Sequence, residues 1–201
     1  MIDYFAEQHG RFGSLGNDKK ILLALYIMHD RRISKNCTII YYAPVSDITS
    51  IISYLTARPS SDLLAAAWQK VTFDWWDTQR DRFDLYTSDI VIEEAGRGDG
   101  LAVARRFETL AGIPLLAITD QVVALSETLI EAKALPNKAI GDSLHIALSA
   151  VHGVDYLLTW NCRHIDNAET KPIVRRVCLA NGYGYPEICT PQELMGVYQN
   201  G

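Results

Sequence analysis

The sequence predicts an α/β fold in which helices cover both faces of a central, mainly parallel sheet. From Asp47 onward, short strand-like runs alternate with helical stretches of about 10–15 residues, the pattern of a parallel sheet. One run, residues 113–118, is apolar along its whole length, which is typical of a buried parallel strand. The length of 201 residues suits one domain with a sizeable core, and two domains would be cramped.

The first 46 residues differ from the rest, so we expect two parts: an N-terminal extension over residues 1–46 and a main domain over residues 47–201. Residues 38–42 are β-branched and aromatic, hence strand-like, and Pro44 is expected to end that strand.

Caps and apolar periodicity predict the elements of the main domain. In chain order these are a helix from Ser61 to about residue 80, a strand over residues 83–87, a helix capped by Ser88, a helix from Asp99 to Gly112, a strand over residues 113–118, a helix from Thr119 or Asp120 to before Pro136, a helix over about residues 138–152, a strand over residues 156–160, a helix over residues 172–180 stopped by Gly182, and a last helix opened by a capping box at Thr190. The helix over residues 138–152 is expected to bury one apolar face formed by Ile140, Leu144, Ala147, Leu148 and Val151.

Composition narrows the class of protein. A net charge of −5 disfavours a broad basic face for nucleic acid, although bound metal ions can neutralise phosphate locally. The four cysteines form no C-x-x-C pair, which makes a zinc cluster a poor expectation. No signal peptide and no apolar run of about 20 residues is present. We therefore expect a reduced, cytoplasmic protein that does not enter a membrane.

Candidate site residues fall near strand ends, where ligands of parallel sheets bind. Asp142 precedes the late strand on a helix, Asn161 follows that strand, and Glu94 follows an earlier one. Carboxylate oxygens suit Mg²⁺ or Mn²⁺ beside a phosphate. Each residue also has a plainer interpretation: an acid near a helix N-terminus, a turn asparagine or a surface glutamate. His145 is either a general acid or a half-buried helix residue, and Arg163 and His164 are either phosphate contacts or solvated loop residues.

Several stretches together resemble the PIN-domain family, metal-dependent ribonucleases that are often toxins of bacterial toxin–antitoxin pairs. The resemblance covers about residues 47–196. Its motifs occur in the family's order: TSIISYLTARPS at residues 49–60, YTSDIVIEEA at residues 86–95, GDSLHIA at residues 141–147 and DYLLTWNCRHI at residues 155–165.

The resemblance implies a three-layer α/β/α sandwich whose acids bind one or two Mg²⁺ or Mn²⁺ ions at the carboxyl edge of the sheet. Glu94 and Asp142 match two of the family's acids, and Asn161 stands where many members carry a further aspartate. Thr49 or Ser50 matches a hydroxyl that follows the first acid.

The departure from the family is at that first acid. Ile48 occupies its position, and Asp47 lies one residue earlier. Because side chains alternate along a strand, this slip would aim Asp47 away from its expected direction unless a bulge or turn re-aims it.

The main hypothesis is a metal-dependent endoribonuclease, with RNA as substrate and an antitoxin and a second copy of the chain as further partners. Its expected metal ligands are Asp47, Glu94 and Asp142, with Asn161 completing the catalytic set. The expected substrate contacts are Thr49, Ser50, His145, Arg163 and His164. The alternative is an impaired PIN-like protein that binds RNA or a partner without catalysis. A third option is an assembly role for residues 1–46.

Overall fold

A computed structural model describes residues 43–46 and 49–196 of the chain, and those residues form a mixed α/β fold with short parallel strands. The helices are α1 (Thr49–Thr56), α2 (Leu63–Thr78), α3 (Asp89–Ala95), α4 (Gly100–Leu110), α5 (Asp120–Glu131), α6 (Ile140–Val151) and α7 (Thr170–Ala180), with a 3₁₀ turn over Arg80–Arg82. The strands are β1 (Ala43–Ser46), β2 (Phe83–Leu85), β3 (Thr87–Ser88), β4 (Leu115–Leu116), β5 (Tyr156–Leu158) and β6 (Glu187–Cys189).

The strand order places a topological switch point between β1 and β5. One sheet has the order β2-β1-β5-β6, and a second pairs β3 with β4; every pair is parallel. Since only Tyr86 separates β2 from β3, one chain segment pairs first with β1 and then with β4. The chain leaves β1 toward β2 on one side and later adds β5 on the other. The carboxyl ends of β1 and β5 therefore form a switch point of the kind where open α/β sheets bind ligands.

Two apolar clusters make up the core. One contains buried residues of α5, α6 and α7 together with Leu157, and the other contains residues of α1, α2 and α3 together with Leu158. Because side chains alternate across a strand, these two neighbouring leucines of β5 point to opposite faces. Helices thus pack against both faces of β5.

Local capping signals are confirmed. Ser88, Asp99 and Thr119 cap α3, α4 and α5, each accepting a hydrogen bond from a backbone N–H three residues later. Gly182 follows α7 with a φ of 79°, a conformation that favours glycine. The cap of α2 is Asp62 rather than Ser61, so that start was displaced by one residue.

Other expectations about single elements are wrong. Pro44 lies within β1 instead of ending a strand, and the strand expected over residues 38–42 lies outside the described residues. Only Leu115–Leu116 of residues 113–118 form a strand, and the Leu115 side chain is 55% exposed rather than buried. Glu193 accepts from the backbone N–H of Thr190 as a capping box requires, but only a turn follows.

The faces of α6 also differ from expectation. Ile140, placed on the buried face by its spacing, is 59% exposed because it begins the helix. His145 and Ser149, which do not belong to that predicted apolar face, are buried as well. Ser149 Oγ donates to the carbonyl of His145 at 2.8 Å, which satisfies a hydroxyl inside the core.

The described residues include three cysteines, Cys162, Cys178 and Cys189, all with free thiols. Within the described chain, no helix combines the length and apolar character needed to cross a membrane.

Candidate functional site

Three of the expected site residues form one hydrogen-bonded cluster beyond the carboxyl end of β5. Asn161 Nδ2 donates to Asp142 Oδ1 at 2.9 Å, and His164 Nδ1 lies 2.8 Å from Asp142 Oδ2. The backbone N–H of His164 donates to Asn161 Oδ1 at 3.2 Å. The first turn of α6 and the loop after β5 therefore hold one another through side chains that are about one-fifth exposed at Asp142 and His164.

The start of α6 explains why a carboxylate is tolerated there. Ala139 provides no side-chain cap, so the first-turn N–H groups keep the partial positive charge of a helix N-terminus. Asp142 lies in that first turn and complements this charge. Next to it, Ser143 Oγ lies 2.7 Å from Ser126 Oγ of α5, which fixes the start of α6 to its neighbour.

Glu94 approaches the same helix from α3. Its Oε2 lies 3.5 Å from His145 Nε2, and its Oε1 lies 3.8 Å from the position that a Cβ on Gly141 would take. The hydrogen bond from His145 is the main cause that lowers the pKa of Glu94 below its usual value, while partial burial opposes the shift. Thr49 and Arg97 also favour the charged carboxylate. Glu94 is thus held ionised beside the residue that precedes Asp142.

The two hydroxyl residues at the start of α1 have different surroundings. Ser50 Oγ accepts from the backbone N–H of Trp160 at 2.9 Å, which ties α1 to the loop after β5. Thr49 Oγ1 is buried and makes no hydrogen bond of normal geometry to the described residues, although it lies near enough to Glu94 to favour its charged form. Thr49 is thus a neighbour of Glu94, and Ser50 is a neighbour of the loop that carries Asn161.

The remaining expected residues are less closely joined. Arg163 is exposed, and its described hydrogen bond is made by its backbone carbonyl, which accepts from Asn167 Nδ2. Asp47 and Ile48 lie outside the described residues. Within the described part of the chain, no group of three or more His, Cys, Asp or Glu side chains is arranged to hold a metal ion.

Sequence reasoning missed Thr159, which supports the cluster, and the partners of Trp160, which lie outside the cluster. Thr159 Oγ1 accepts from the backbone N–H of Asn161 at 3.0 Å. Trp160 donates through Nε1 to Thr72 Oγ1 at 2.8 Å and stacks on Trp68 with ring centroids 5.3 Å apart. Thr159 and Trp160 directly precede the candidate residue Asn161, so their position in the sequence could have indicated them. Nothing local in the sequence indicates Thr72.

Two carboxylates among the described residues carry oxygen atoms of the type that hard divalent cations bind. Asp142 and Glu94 offer carboxylate oxygens on side chains that are 22% and 30% exposed. An ionised carboxylate has about four acceptor positions, and the bonds from Asn161 and His164 use two of those on Asp142. Oxygen atoms of this kind are the ligands that Mg²⁺ and Mn²⁺ take in proteins.

Comparisons of the chain with protein-family models, with curated proteins and with solved structures give no match.

Proposed function

We propose that this chain is a PIN-like, metal-dependent endoribonuclease that hydrolyses RNA phosphodiester bonds, with a toxin–antitoxin pair as its setting. The observation that carries the proposal is the cluster of Asp142, Asn161 and His164 at the switch point, with Glu94 against the same turn of α6. The opposite orientation of Leu157 and Leu158 supports a three-layer α/β/α arrangement.

Asp142 and Glu94 would hold the Mg²⁺ or Mn²⁺ ion, with Asp47 as the third carboxylate and Asn161 assisting. When bound, such an ion activates water and offsets negative charge on the phosphate. His145 is buried against Glu94, so its contribution is to orient that carboxylate and keep it ionised.

The chain's other groups would bind and orient the substrate. Asp142 engages Nδ1 of His164, which leaves Nε2 as the ring nitrogen for a phosphate or leaving-group oxygen. Arg163 is exposed in the same loop and offers a planar fork of donors that suits phosphate. Thr49 and Ser50 at the start of α1 lie near Glu94 and the loop after β5.

Cleavage of a structured RNA in Mn²⁺ buffer tests the proposal, using Asp142→Asn and the matched control Asp84→Asn. Asp84 is an exposed aspartate of β2 and is not a member of the cluster. Loss of partners that only support metal ligands costs about 10–100-fold, so removal of a ligand should cost about 100-fold or more. Equal cleavage by the wild type and Asp142→Asn would reject the assignment.

A second candidate is a PIN-like binding module without catalysis. It is favoured by Ile48 at the expected acid position. Calorimetric titration with Mn²⁺ separates the two candidates. A well-folded protein that gives no binding heat and still retains RNA supports the module, whereas saturable heat that disappears in Asp142→Asn supports the nuclease.

A further inference from the structure

Thr159 lies between the start of α1, which carries Ser50, and the loop after β5, which carries Asn161. It follows β5 directly, is 1% exposed, and its backbone N–H still belongs to the sheet, donating to Cys189 of β6 at 2.9 Å. Its hydroxyl oxygen accepts from the backbone N–H of Asn161 and lies 3.4 Å from Ser50 Oγ. A single buried hydroxyl thus contacts both α1 and the loop that carries Asn161.

Beyond the end of β5, hydroxyl groups take over as hydrogen-bond acceptors from the backbone carbonyls of the neighbouring strand. After Thr159, the next two backbone N–H groups leave the ladder, and each takes a hydroxyl acceptor: that of Trp160 takes Ser50 Oγ, and that of Asn161 takes Thr159 Oγ1. The hydroxyl-to-hydroxyl contact closes this arrangement into a bridge. Because buried N–H groups require partners, the bridge fixes the backbone direction at Asn161.

The direction of that backbone decides where the amide of Asn161 points. Its Nδ2 donates to Asp142, and its Oδ1 accepts from the backbone of His164. We propose that Thr159 is a positioning residue, whose hydroxyl sets Asn161 so that Asn161 holds Asp142 and His164 in their working geometry. The proposal rests on the proposed function for its kinetic consequence, but its structural part can be measured without any cleavage.

The test compares Thr159→Val, which removes the hydroxyl with little change of shape, with Thr159→Ser, which keeps it. Thr72→Val is the matched control, since Thr72 is also a fully buried threonine whose hydroxyl bonds to Trp160 rather than to Asn161. The structural readout is the imidazole NMR signal of His164, identified by its loss in His164→Gln. The kinetic readouts are kcat and KM for RNA cleavage in Mn²⁺.

We expect Thr159→Val to shift the His164 signal and to lower kcat by about 10–100-fold with little change in KM, the usual loss for a supporting partner. Thr159→Ser should restore both readouts. Thr72→Val should lower stability while leaving the His164 signal and kcat unchanged.

Two results would overturn the inference: an unchanged His164 signal and kcat in Thr159→Val, or equal losses in Thr159→Val and Thr72→Val. If wild-type protein cleaves no RNA, the proposed function fails, and the His164 signal alone still decides the positioning role. If Thr159→Val does not fold, Thr159→Ala removes the same hydroxyl without placing a methyl group against the N–H of Asn161. An unchanged His164 signal in that variant is then the contradicting outcome.

Discussion

The buried pair Ser126 and Ser143 allows a stability effect to be worked out from donors and acceptors. Ser143 Oγ donates to the carbonyl of Ile140 at 2.8 Å, so its single hydrogen is used. Across the 2.7 Å contact, Ser126 must therefore donate and Ser143 accept. Both side chains are buried, at 4% and 0% exposure, so water cannot replace a lost partner.

Because Ser126 donates and Ser143 accepts, Ser143→Ala and Ser126→Ala should lower the free energy of unfolding by different amounts. Ser143→Ala leaves the hydroxyl of Ser126 without its acceptor in the core, which costs about 1–3 kcal/mol in the free energy of unfolding. Ser126→Ala removes a donor but leaves Ser143 bonded to Ile140, so it costs only a net hydrogen bond of about 0.5–1.5 kcal/mol. Each change regains about 0.5 kcal/mol of helix propensity, which cancels in a comparison of the two. The double variant contains no orphaned hydroxyl and should cost about 1 kcal/mol less than the sum of the single changes.

Urea unfolding of the wild type, both single variants and the double variant measures this difference. With a slope of about 2 kcal/mol per molar urea, a 1 kcal/mol effect moves the midpoint by about 0.5 M. Ser53→Ala, at an exposed position of α1, is the control and should stay within about 0.5 kcal/mol of the wild type. Single-variant costs that add to within about 0.3 kcal/mol, or a larger loss in Ser126→Ala, would refute the assigned direction.

Acid titration, backbone strain and thiol chemistry provide three more tests. Folding lowers the pKa of Glu94 from 4.5, so the stability that its carboxylate contributes is complete above pH 4.5 and is lost as the pH falls through the lower folded value. In a Glu94→Gln variant, the free energy of unfolding should therefore fall less steeply with acid. An unchanged dependence of that free energy on pH would contradict this. Gly182→Ala should cost about 1–2 kcal/mol because φ is 79° there, whereas Gly100→Ala, in α4 with open space around it, should be neutral or stabilising by up to about 1 kcal/mol in thermal or urea unfolding. A thiol reagent should label exposed Cys162 in the folded protein, as peptide mapping would show. Burial raises the pKa of Cys189 to about 12, so Cys189 should react only after unfolding. Early labelling of Cys189 would show that this part of the core opens.

The elements that the sequence predicts well are those decided within one turn of chain. Ser88, Asp99 and Thr119 each cap a helix by accepting from an N–H three residues ahead, so the residue and its partner are visible together in the sequence. A cap by itself does not produce a helix, because the first helical turn is unfavourable to form without further stabilisation. Thr190 makes its capping-box bonds and still starts only a turn.

Burial was harder to predict because it depends on distant neighbours. The apolar run at residues 113–118 has the composition of a central strand, but β4 pairs only with β3 among the described strands. Its other edge has no described strand partner, and Leu115 is exposed there. The same limit applies to His145, whose burial follows from Glu94 on another helix.

The candidate site contains some features that the sequence predicts and others that it does not. Asp142, Asn161 and His164 could be chosen from residue type and strand ends, but their pairing could not, since Asp142 is 19 and 22 positions from its two partners. The Ser50–Thr159 contact spans 109 positions, and neither hydroxyl has a local feature that reveals it. Candidate residues could therefore be chosen one by one from the sequence, whereas their hydrogen-bonded arrangement required the fold.

The end of β1 also bears on the proposed role of Asp47, which stands one residue before the position that the family resemblance gives to its first acid. A one-residue slip reverses the direction of a side chain only within a strand, and β1 ends at Ser46. The start of α1 is fixed at Ser50 by the N–H of Trp160, and Thr49 already belongs to that helix. Metal binding, rather than strand register, becomes the property that decides between the nuclease and the binding module.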